Sequence, residues 1–380
     1  MNSADQLSCR KYSRQFMKLQ FTLTCAVISL CVSAHASDVF FGAYPGQVLV
    51  FDDAKGVIET RIQLTTGIPN SLRPSLDKKT IYVTTNEHDG IEVIDVASRK
   101  VTNHFVLDTP RTKYRLNGVT PDPTGKFVYC VTTELDKLVD HYEVGRPKYT
   151  VIDLAAQKII KTVDIEKEDQ IGNTGFFGRF GFDVSTDGKY LYQFRDKVAI
   201  LDAARMKVID RIDLAKPDDP FVQNLGLGGQ LDSISQPGIR LSLFNAADPF
   251  VHHRVFGIAR FDLNARKFDF KPIGPAPEAM AGLQVAPDMK NAWTVVTSGG
   301  QLGNKRCEFW HFDLTSNRVT ERAEFPCRSR FTFGMSSDGK KLYTYGAGFE
   351  IEVYDSATLK HERTWDLNYD VTGAPLVSID

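Results

Sequence analysis

Apolar and polar residues alternate along most of the chain in short segments joined by polar turns, a pattern that predicts β-strands. Within this pattern one phrase recurs seven times: two or three apolar residues, an aspartate and a small loop. The seven aspartates are Asp52, Asp95, Asp153, Asp202, Asp262, Asp313 and Asp355. In six of the seven phrases Lys or Arg follows five residues later, and the first phrase is expected to have a shorter loop through Lys55 and Gly56. Each phrase predicts a β-hairpin whose aspartate accepts hydrogen bonds from backbone N–H groups of the turn.

A second repeat lies between these hairpins and consists of a polar turn followed by an aromatic-rich strand. Examples are SLDKKTIYVTT from Ser75, STDGKYLYQF from Ser185 and SSDGKKLYTY from Ser336. Each unit therefore has four strands, lettered A to D outward from the axis, and the aspartates recur about every 42 to 60 residues, as in propeller blades. The sequence predicts an all-β, seven-bladed β-propeller. The N-terminal segments supply strands B, C and D of the first blade, and the C-terminal GAPLVSID supplies strand A, which closes the ring.

The N-terminal segment has the features of an export signal. Basic residues precede an apolar run from Leu19 to Val32, and Ala34-His35-Ala36 is a small-x-small cleavage site. We expect residues 1–36 to be a cleavable signal peptide, with Met17 as an alternative start, and residues 37–380 to be a single propeller domain. The apolar run is too short to stay as a spanning helix, so we expect no membrane insertion after cleavage. In a Gram-negative cell the protein would be periplasmic.

Charge and motifs exclude several function classes. The formal net charge is −1 and the isoelectric point is about 6.7, so no basic stripe for nucleic acid is expected. The sequence has no C-x-x-C-H haem motif, no Gly-rich phosphate loop and no H-E-x-x-H motif. His252 and His253 are adjacent and would point to opposite faces of a strand, which disfavours a shared metal. We therefore expect no catalytic residue, cofactor or metal in this chain.

Three cysteines follow the expected cleavage site. Cys130 lies in the middle of a strand and is expected to be buried and inert. Cys307 and Cys327 flank the hairpin of the sixth aspartate, and a turn centred near Asn317 would place them opposite each other across strands C and D. Since an oxidising compartment favours disulfides, we predict a bridge between them.

Five connections are longer than the fold requires, and all are predicted on the face where the B–C and D–A connections open, here called the long-loop face. They are Asp108–Asn117, Glu134–Lys148, Glu166–Arg179, Lys216–Gln230 and Phe244–Arg254. The candidate partner or substrate anchors are Tyr114, Tyr142, Phe177 and His253, the candidate rim cations are Lys113, Arg115 and Arg146, and His141, Phe176 and His252 lie beside them. Such residues either anchor an interface or pin the loops onto the blades, and the sequence leaves both interpretations open.

Several segments resemble a known family. The stretch DKLVDHYEVGRPKYTVIDLAAQKIIKTVDI, the STDGK and SSDGK turns and the ending IEVYDSATLKHERTWDL…GAPLVSID resemble the β subunit of quinohemoprotein amine dehydrogenase, a YVTN-type propeller. The resemblance implies a cofactor-free periplasmic subunit that seats a small subunit bearing cysteine tryptophylquinone, beside a di-haem subunit that carries haem c. A primary amine would be oxidised to an aldehyde at the interface. No catalytic residue carries over, because the quinone and the base belong to the small subunit in that family.

Two other functions stay open. A stand-alone exported propeller of the YVTN type would bind a periplasmic or cell-surface ligand. A propeller enzyme such as a lactonase is disfavoured, because no clustered acids and metal ligands recur at the blade entrances. A di-haem cytochrome gene and a small Cys-rich gene beside this one would favour the dehydrogenase.

Overall fold

A computed structural model describes residues 38–169, 182–195, 197–215, 223–227, 236–248, 250, 253–300, 304–328, 331–346, 348–371 and 376–379. Within these ranges, seven antiparallel sheets form the blades, which confirms the predicted seven-bladed propeller. Residues 1–36, the predicted signal peptide, lie outside the described part. No helix in the described ranges has the length and apolar character needed to cross a membrane.

The strands follow one another in chain order around the ring. Blade one contains β1 (Asp38–Ala43), β2 (Gln47–Asp52) and β3 (Val57–Gln63), blade two β4 (Pro69–Pro74), β5 (Thr80–Thr85), β6 (Ile91–Asp95) and β7 (Lys100–Phe105). Blade three contains β8 (Thr112–Pro121), β9 (Phe127–Lys137), β10 (Tyr142–Val144), β11 (Lys148–Asp153) and β12 (Lys158–Asp164), and a 3-10 turn (Lys167–Asp169) follows it. Blade four contains β13 (Phe182–Val184), β14 (Tyr190–Phe194), β15 (Lys197–Asp202) and β16 (Lys207–Asp213).

The remaining three blades complete the ring. Blade five contains β17 (Gln223–Leu227), β18 (Ile239–Ala247), β19 (Arg254–Asp262) and β20 (Lys267–Pro275). Blade six contains β21 (Ala279–Met280), β22 (Gln284–Val285), β23 (Asn291–Ser298), β24 (Arg306–Asp313) and β25 (Arg318–Phe325). Blade seven contains β26 (Phe331–Met335), β27 (Lys341–Gly346), β28 (Glu350–Asp355) and β29 (His361–Asp366), and the last strand is β30 (Leu376–Ile379).

The ring is closed by strands from both ends of the described chain. β30 pairs antiparallel with β1, with Phe40 opposite Val377, and so becomes strand A of the first blade as predicted. Both side chains are buried in one apolar cluster. The closure covers the inner edge of β1 and gives the first blade four strands.

The repeated aspartates act in their turns as predicted. In each of the seven C–D turns, the carboxylate accepts at least one hydrogen bond from a backbone N–H two or three residues later. Asp95 Oδ1, for example, lies 2.8 Å from the backbone nitrogen of Ser98. The residue four after each aspartate has a positive φ, such as 54° at Arg99. The same turn geometry therefore recurs in all seven blades.

The first blade follows this rule as well, so the prediction of a shorter loop there was wrong. Asp52 pairs with Val57, five residues later, which is the spacing of the other blades. Gly56 takes the left-handed position with a φ of 72°, a conformation that costs glycine little. Only the basic residue differs, because Lys55 precedes this position and forms a 2.6 Å ion pair with Asp52.

The predicted disulfide between Cys307 and Cys327 is present, with the two Cα atoms 5.3 Å apart. The prediction that the two cysteines lie opposite each other was wrong. Asp313 pairs with Arg318, so the turn is centred earlier than expected, and Phe325 lies opposite Cys307. Cys327 follows the end of β25 and reaches back to the start of β24.

Apolar clusters fill the spaces between neighbouring blades. Between the first and seventh blades, the rings of Phe51 and Trp365 lie 4.3 Å apart between centroids. Cys130 is buried between the second and third blades and forms no disulfide. Burial raises the pKa of its thiol far above the ordinary value, which keeps the sulfur protonated.

Candidate functional site

Two of the predicted long connections form one ordered extension of the third blade. β8 and β9 continue beyond the blade, with Thr112 paired to Asp136, and β10 folds back onto β9, with Tyr142 paired to Lys137. Strand A begins and strand B ends on the long-loop face, so the extension projects from that face. We call residues 108–117 and 134–147 the third-blade extension.

The tip of this extension is exposed and apolar. Every residue from 136 to 146 is exposed. Val139 is fully exposed, and the exposed fractions of Leu138, Tyr142 and Val144 are 44%, 48% and 58%. We call these four side chains the apolar tip. Because single exposed apolar residues are common but four on one small hairpin form a patch, the tip has the character of a contact surface.

The predicted residues at the base of the extension face the propeller. The Arg115 guanidinium lies 3.1 Å from the carboxylate of Asp89, in the B–C connection of the second blade. Tyr114 packs against the apolar cluster of blades two and three, and burial raises the pKa of its hydroxyl. Lys113, the residue before Tyr114, is exposed. For Tyr114 and Arg115, these contacts favour the interpretation that they pin the loop onto the blades.

The other predicted residues are distributed as follows. The exposed His141 forms a 2.7 Å contact with Asp140, and Arg146 is exposed beside β10. His253 is exposed before β19, in a different blade. Phe176, Phe177 and His252 lie outside the described residues. The structure therefore groups six of the ten predicted residues, and the group is Lys113, Tyr114, Arg115, His141, Tyr142 and Arg146.

The boundaries of two predicted connections in the fifth blade were wrong. Strand β17 lies inside Lys216–Gln230, where its Leu225 N–H donates to the carbonyl of Leu214 at 2.8 Å. Strands β18 and β19 occupy both ends of the connection predicted from Phe244 to Arg254. The segment QNLGL has no β-branched or aromatic residue, so its sequence does not indicate a strand.

A second region, which sequence reasoning missed, is a cavity on the opposite face, where the A–B and C–D turns open. It lies where the inner strands end, and the space within it, which is partly open solvent, amounts to about 700 Å³. Arg73, Asp183 and Arg240 line it, from the second, fourth and fifth blades. We call it the channel cavity.

Hydrogen bonds between blades hold these charged side chains together. Arg73 Nη2 donates to Asp183 Oδ1 at 2.8 Å, and its Nη1 donates to the Thr120 hydroxyl of the third blade at 2.9 Å. Arg240 Nη1 donates to the other carboxylate oxygen of Asp183. The Arg240 guanidinium also lies 4.0 Å from the ring centroid of Phe194. The second, fourth and fifth blades thus meet at one carboxylate, and the third blade joins them through Arg73.

The electrostatics of the channel cavity follow from two guanidinium groups sharing one carboxylate. Burial alone would raise the pKa of Asp183, but the charges and hydrogen bonds of Arg240 and Arg73 hold it below the ordinary value. Burial lowers the pKa of Arg73, Asp183 opposes this shift, and Arg240 adds to it. Asp122 also lines the cavity, but its carboxylate accepts three hydrogen bonds within its own turn.

A signal for this cavity exists in the repeat. In four blades, a polar residue of strand A stands nine positions before the aromatic residue that pairs with it in strand B. The pairs are Arg73 with Tyr82, Thr120 with Tyr129, Asp183 with Tyr192 and Gln284 with Trp293. Aligning the repeats on these aromatic residues would place Arg73 and Asp183 at equivalent positions around the channel.

One acidic group is explained by internal ion pairs. Glu166, Glu168 and Asp169 lie close enough to share a cation. However, Asp169 Oδ2 lies 2.6 Å from the guanidinium of Arg211, and its Oδ1 lies 3.2 Å from the ammonium of Lys197. These ion pairs join the 3-10 turn to the fourth blade.

Comparisons with known proteins support the fold. No protein family model matches the chain, and no curated protein matches it. A functionally unknown protein from Desulfotomaculum acetoxidans is 12% identical over 90% of this chain and 99% of its own, with a TM-score of 0.55. AztD from Citrobacter koseri is 12% identical over 91% and 98%, with a TM-score of 0.52. Hydrazine synthase from Kuenenia stuttgartiensis is 14% identical over 79% and 81%, with a TM-score of 0.47. At these identities, the first two likenesses show only that the chain shares its fold with those two proteins.

Proposed function

We propose that this chain is a non-catalytic, exported propeller subunit that seats a partner protein on its long-loop face, in a periplasmic amine dehydrogenase of the quinohemoprotein type. One observation carries the proposal. Residues 136–147 contain the most specific part of the family resemblance, and they form the exposed end of the third-blade extension. The four blade strands pair without this end, so its length and apolar residues serve something other than the sheet.

The extension is suited to docking because its shape is set before a partner arrives. Backbone pairing along β8, β9 and β10 fixes the hairpin, and the Arg115–Asp89 ion pair ties its base to the second blade. A rigid surface loses little conformational entropy on binding. The apolar tip then supplies area to bury, and truncating an anchor such as Tyr142 to alanine typically costs about 2 kcal/mol of binding free energy.

The proposal assigns the redox chemistry to the partners. The small subunit would hold cysteine tryptophylquinone, a di-haem subunit would hold haem c, and the primary amine would react at the interface. This chain has no covalent haem motif. We therefore expect the purified single chain to be colourless and to reduce no dye in the presence of amines.

A second candidate function is a stand-alone exported propeller that binds a ligand. The channel cavity favours it, because two partly buried arginines, Arg73 and Arg240, converge there in an open space. The two candidates differ in which face is occupied and in whether the protein works alone.

Affinity purification of the tagged chain from the periplasm of its native host separates the two. The dehydrogenase proposal expects a small subunit and a haem-containing subunit to co-purify, and it expects the eluate to reduce an electron-accepting dye when a primary amine is added. Recovery of the chain alone, without haem absorbance, would reject the proposal and leave the stand-alone function.

Variants of the apolar tip test the face. The double variant Val139→Ser, Tyr142→Ala is expected to lose the small subunit while the propeller stays folded. Val57→Ser is the matched control, since Val57 is also exposed but begins β3 on the opposite face. If the tip variant retains the partner and substitutions in the A–B turns release it, the partner sits on the other face.

A further inference from the structure

Among the described residues, the channel cavity has more hydrogen-bond donors than its acceptors use. Each carboxylate oxygen of Asp183 accepts from one arginine, and the Thr120 hydroxyl accepts from Arg73. A guanidinium has five N–H donors, so Arg73 and Arg240 together have many more donors than these three hydrogen bonds use. Arg240 Nε is buried and has no acceptor among the described residues. A ligand with acceptor oxygens would complete this arrangement.

The net charge of the cluster determines whether that ligand is an anion or a cation. Arg73 and Arg240 carry two positive charges against the single negative charge of Asp183, and the Asp122 carboxylate is occupied within its turn. The Asp183 side chain is 11% exposed, and so is that of Arg240. Electrostatic interactions are stronger at such buried positions than in bulk water. The cluster therefore attracts an anion and repels an ammonium group.

The walls of the cavity are largely apolar and favour a ligand whose uncharged part is apolar as well. Leu241, Leu283 and Val285 from the fifth and sixth blades line it, together with prolines that end the inner strands of the second and third blades. Apolar walls with a few converging polar groups are typical of small-molecule sites. A highly charged inorganic anion would leave these walls without a partner.

Arg240 is held in place before any ligand binds. Its guanidinium lies over the ring of Phe194, 4.0 Å from the centroid, and one nitrogen is bonded to Asp183. An arginine fixed in this way presents its remaining N–H groups as a planar fork, which matches a carboxylate.

We propose that the channel cavity binds a small organic anion that has one carboxylate and an apolar body. Arg240 is the residue that makes the main contact with this carboxylate. The site lies on the face opposite the apolar tip, and the inference does not rest on the proposed dehydrogenase function. A purely structural cluster is the competing interpretation, in which the two arginines only join neighbouring blades.

Benzoate is the probe, and benzamide is its neutral counterpart of the same shape. Titration calorimetry and thermal unfolding of the purified full chain are expected to show that benzoate binds and raises the melting temperature, while benzamide and benzylamine do not. Arg240→Gln should weaken benzoate binding by about tenfold or more, the loss expected when a charged hydrogen-bonding pair is broken. This variant should stay folded, because Asp183 keeps its pair with Arg73.

Two controls keep the test decisive. Arg318→Gln removes an exposed arginine at the start of β25 and should leave benzoate binding unchanged. If Arg240→Gln does not fold, Arg240→Lys keeps the charge without the planar fork and should still weaken binding. The proposal is overturned by no benzoate response in the natural chain, by an equal response to benzamide, by equal binding in Arg240→Gln, or by an equal response to inorganic phosphate.

Discussion

The apolar tip and the channel cavity lie on opposite faces of the propeller and are built in opposite ways. At the tip, backbone pairing holds apolar side chains in solvent. In the cavity, side-chain hydrogen bonds hold charged groups against apolar walls. The tip can gain free energy only when a partner removes its apolar area from water. The cavity gains free energy when an anion supplies acceptors for its unused N–H donors.

Binding and stability are separate at the tip and coupled in the cavity. The side chains of the tip make few contacts within the propeller, so changing them should alter partner binding and leave folding intact. The charged cluster of the cavity joins four blades, so changing it should alter both. This contrast can be measured.

We expect the greatest loss of stability from a substitution at the centre of the cavity. Asp183→Asn leaves Arg73 and Arg240 without a counter-ion, and we expect a loss of about 3–5 kcal/mol in the free energy of unfolding. Asp140→Asn is the matched control at the tip, where the carboxylate is exposed, and should change stability by less than about 0.5 kcal/mol. Chemical denaturation of both variants provides the comparison, and equal losses would show that the two regions do not differ.

Removing the disulfide should lower the free energy of unfolding by nearly as much, but it should not alter binding at the tip or in the cavity. Serine at both Cys307 and Cys327 opens a loop with a sequence separation of 20 residues, for which chain entropy predicts a loss of about 3 kcal/mol. Because the bridge lies in the sixth blade beside β25, benzoate affinity and partner retention should stay unchanged. Altered binding in this variant would mean that general destabilisation accounts for changes ascribed to the cavity or the tip.

A smaller effect is expected at the base of the extension. Asp89→Asn removes the charge that pairs with Arg115 and should cost about 1 kcal/mol, the upper end for an ion pair that is partly exposed to solvent. The tip keeps all its apolar residues, so any drop in partner affinity would come from a looser hairpin. Hydrogen exchange should show faster opening of residues 112–117, and unchanged protection would contradict the pinning role.

The smallest effect is a pH dependence of the stability that appears only at acidic pH. The folded pKa of Asp183 is lowered, so its contribution is complete above the unfolded value of about 3.9 and is lost as the pH falls through the folded value. The stability difference between the natural chain and Asp183→Asn should therefore be constant near neutrality and shrink below about pH 4. A difference that grows in acid would contradict this assignment.

Local and repeated chemistry was predictable from the sequence. An aspartate that accepts hydrogen bonds from its own turn needs only a few neighbouring residues, so all seven turns were found. The pairing of the C-terminal strand with β1 followed from counting four strands in each blade. The disulfide between Cys307 and Cys327 was found by the same counting, although its register was not, because the centre of the turn was misplaced.

Arrangements made across the ring were not predictable in the same way. Arg73 and Asp183 are 110 residues apart in sequence, and Asp183 and Arg240 are 57 apart. Each stands in an ordinary strand pattern, and only the channel brings them together. The third-blade extension was predicted as loops, because its charged and polar residues hide the pairing of β8 with β9 and β10.

Ring closure by β30 also sets an order of events during synthesis. Strands β1 to β3 leave the ribosome first, yet the strand that pairs with β1 is the last of the described ones to be made. Until then the first blade keeps a free inner edge, and the pairing spans more than 300 residues, the kind of distant contact that forms slowly. The chain therefore remains an open arc of blades until β30 is available to pair with β1, and only then can the ring become one cooperative unit.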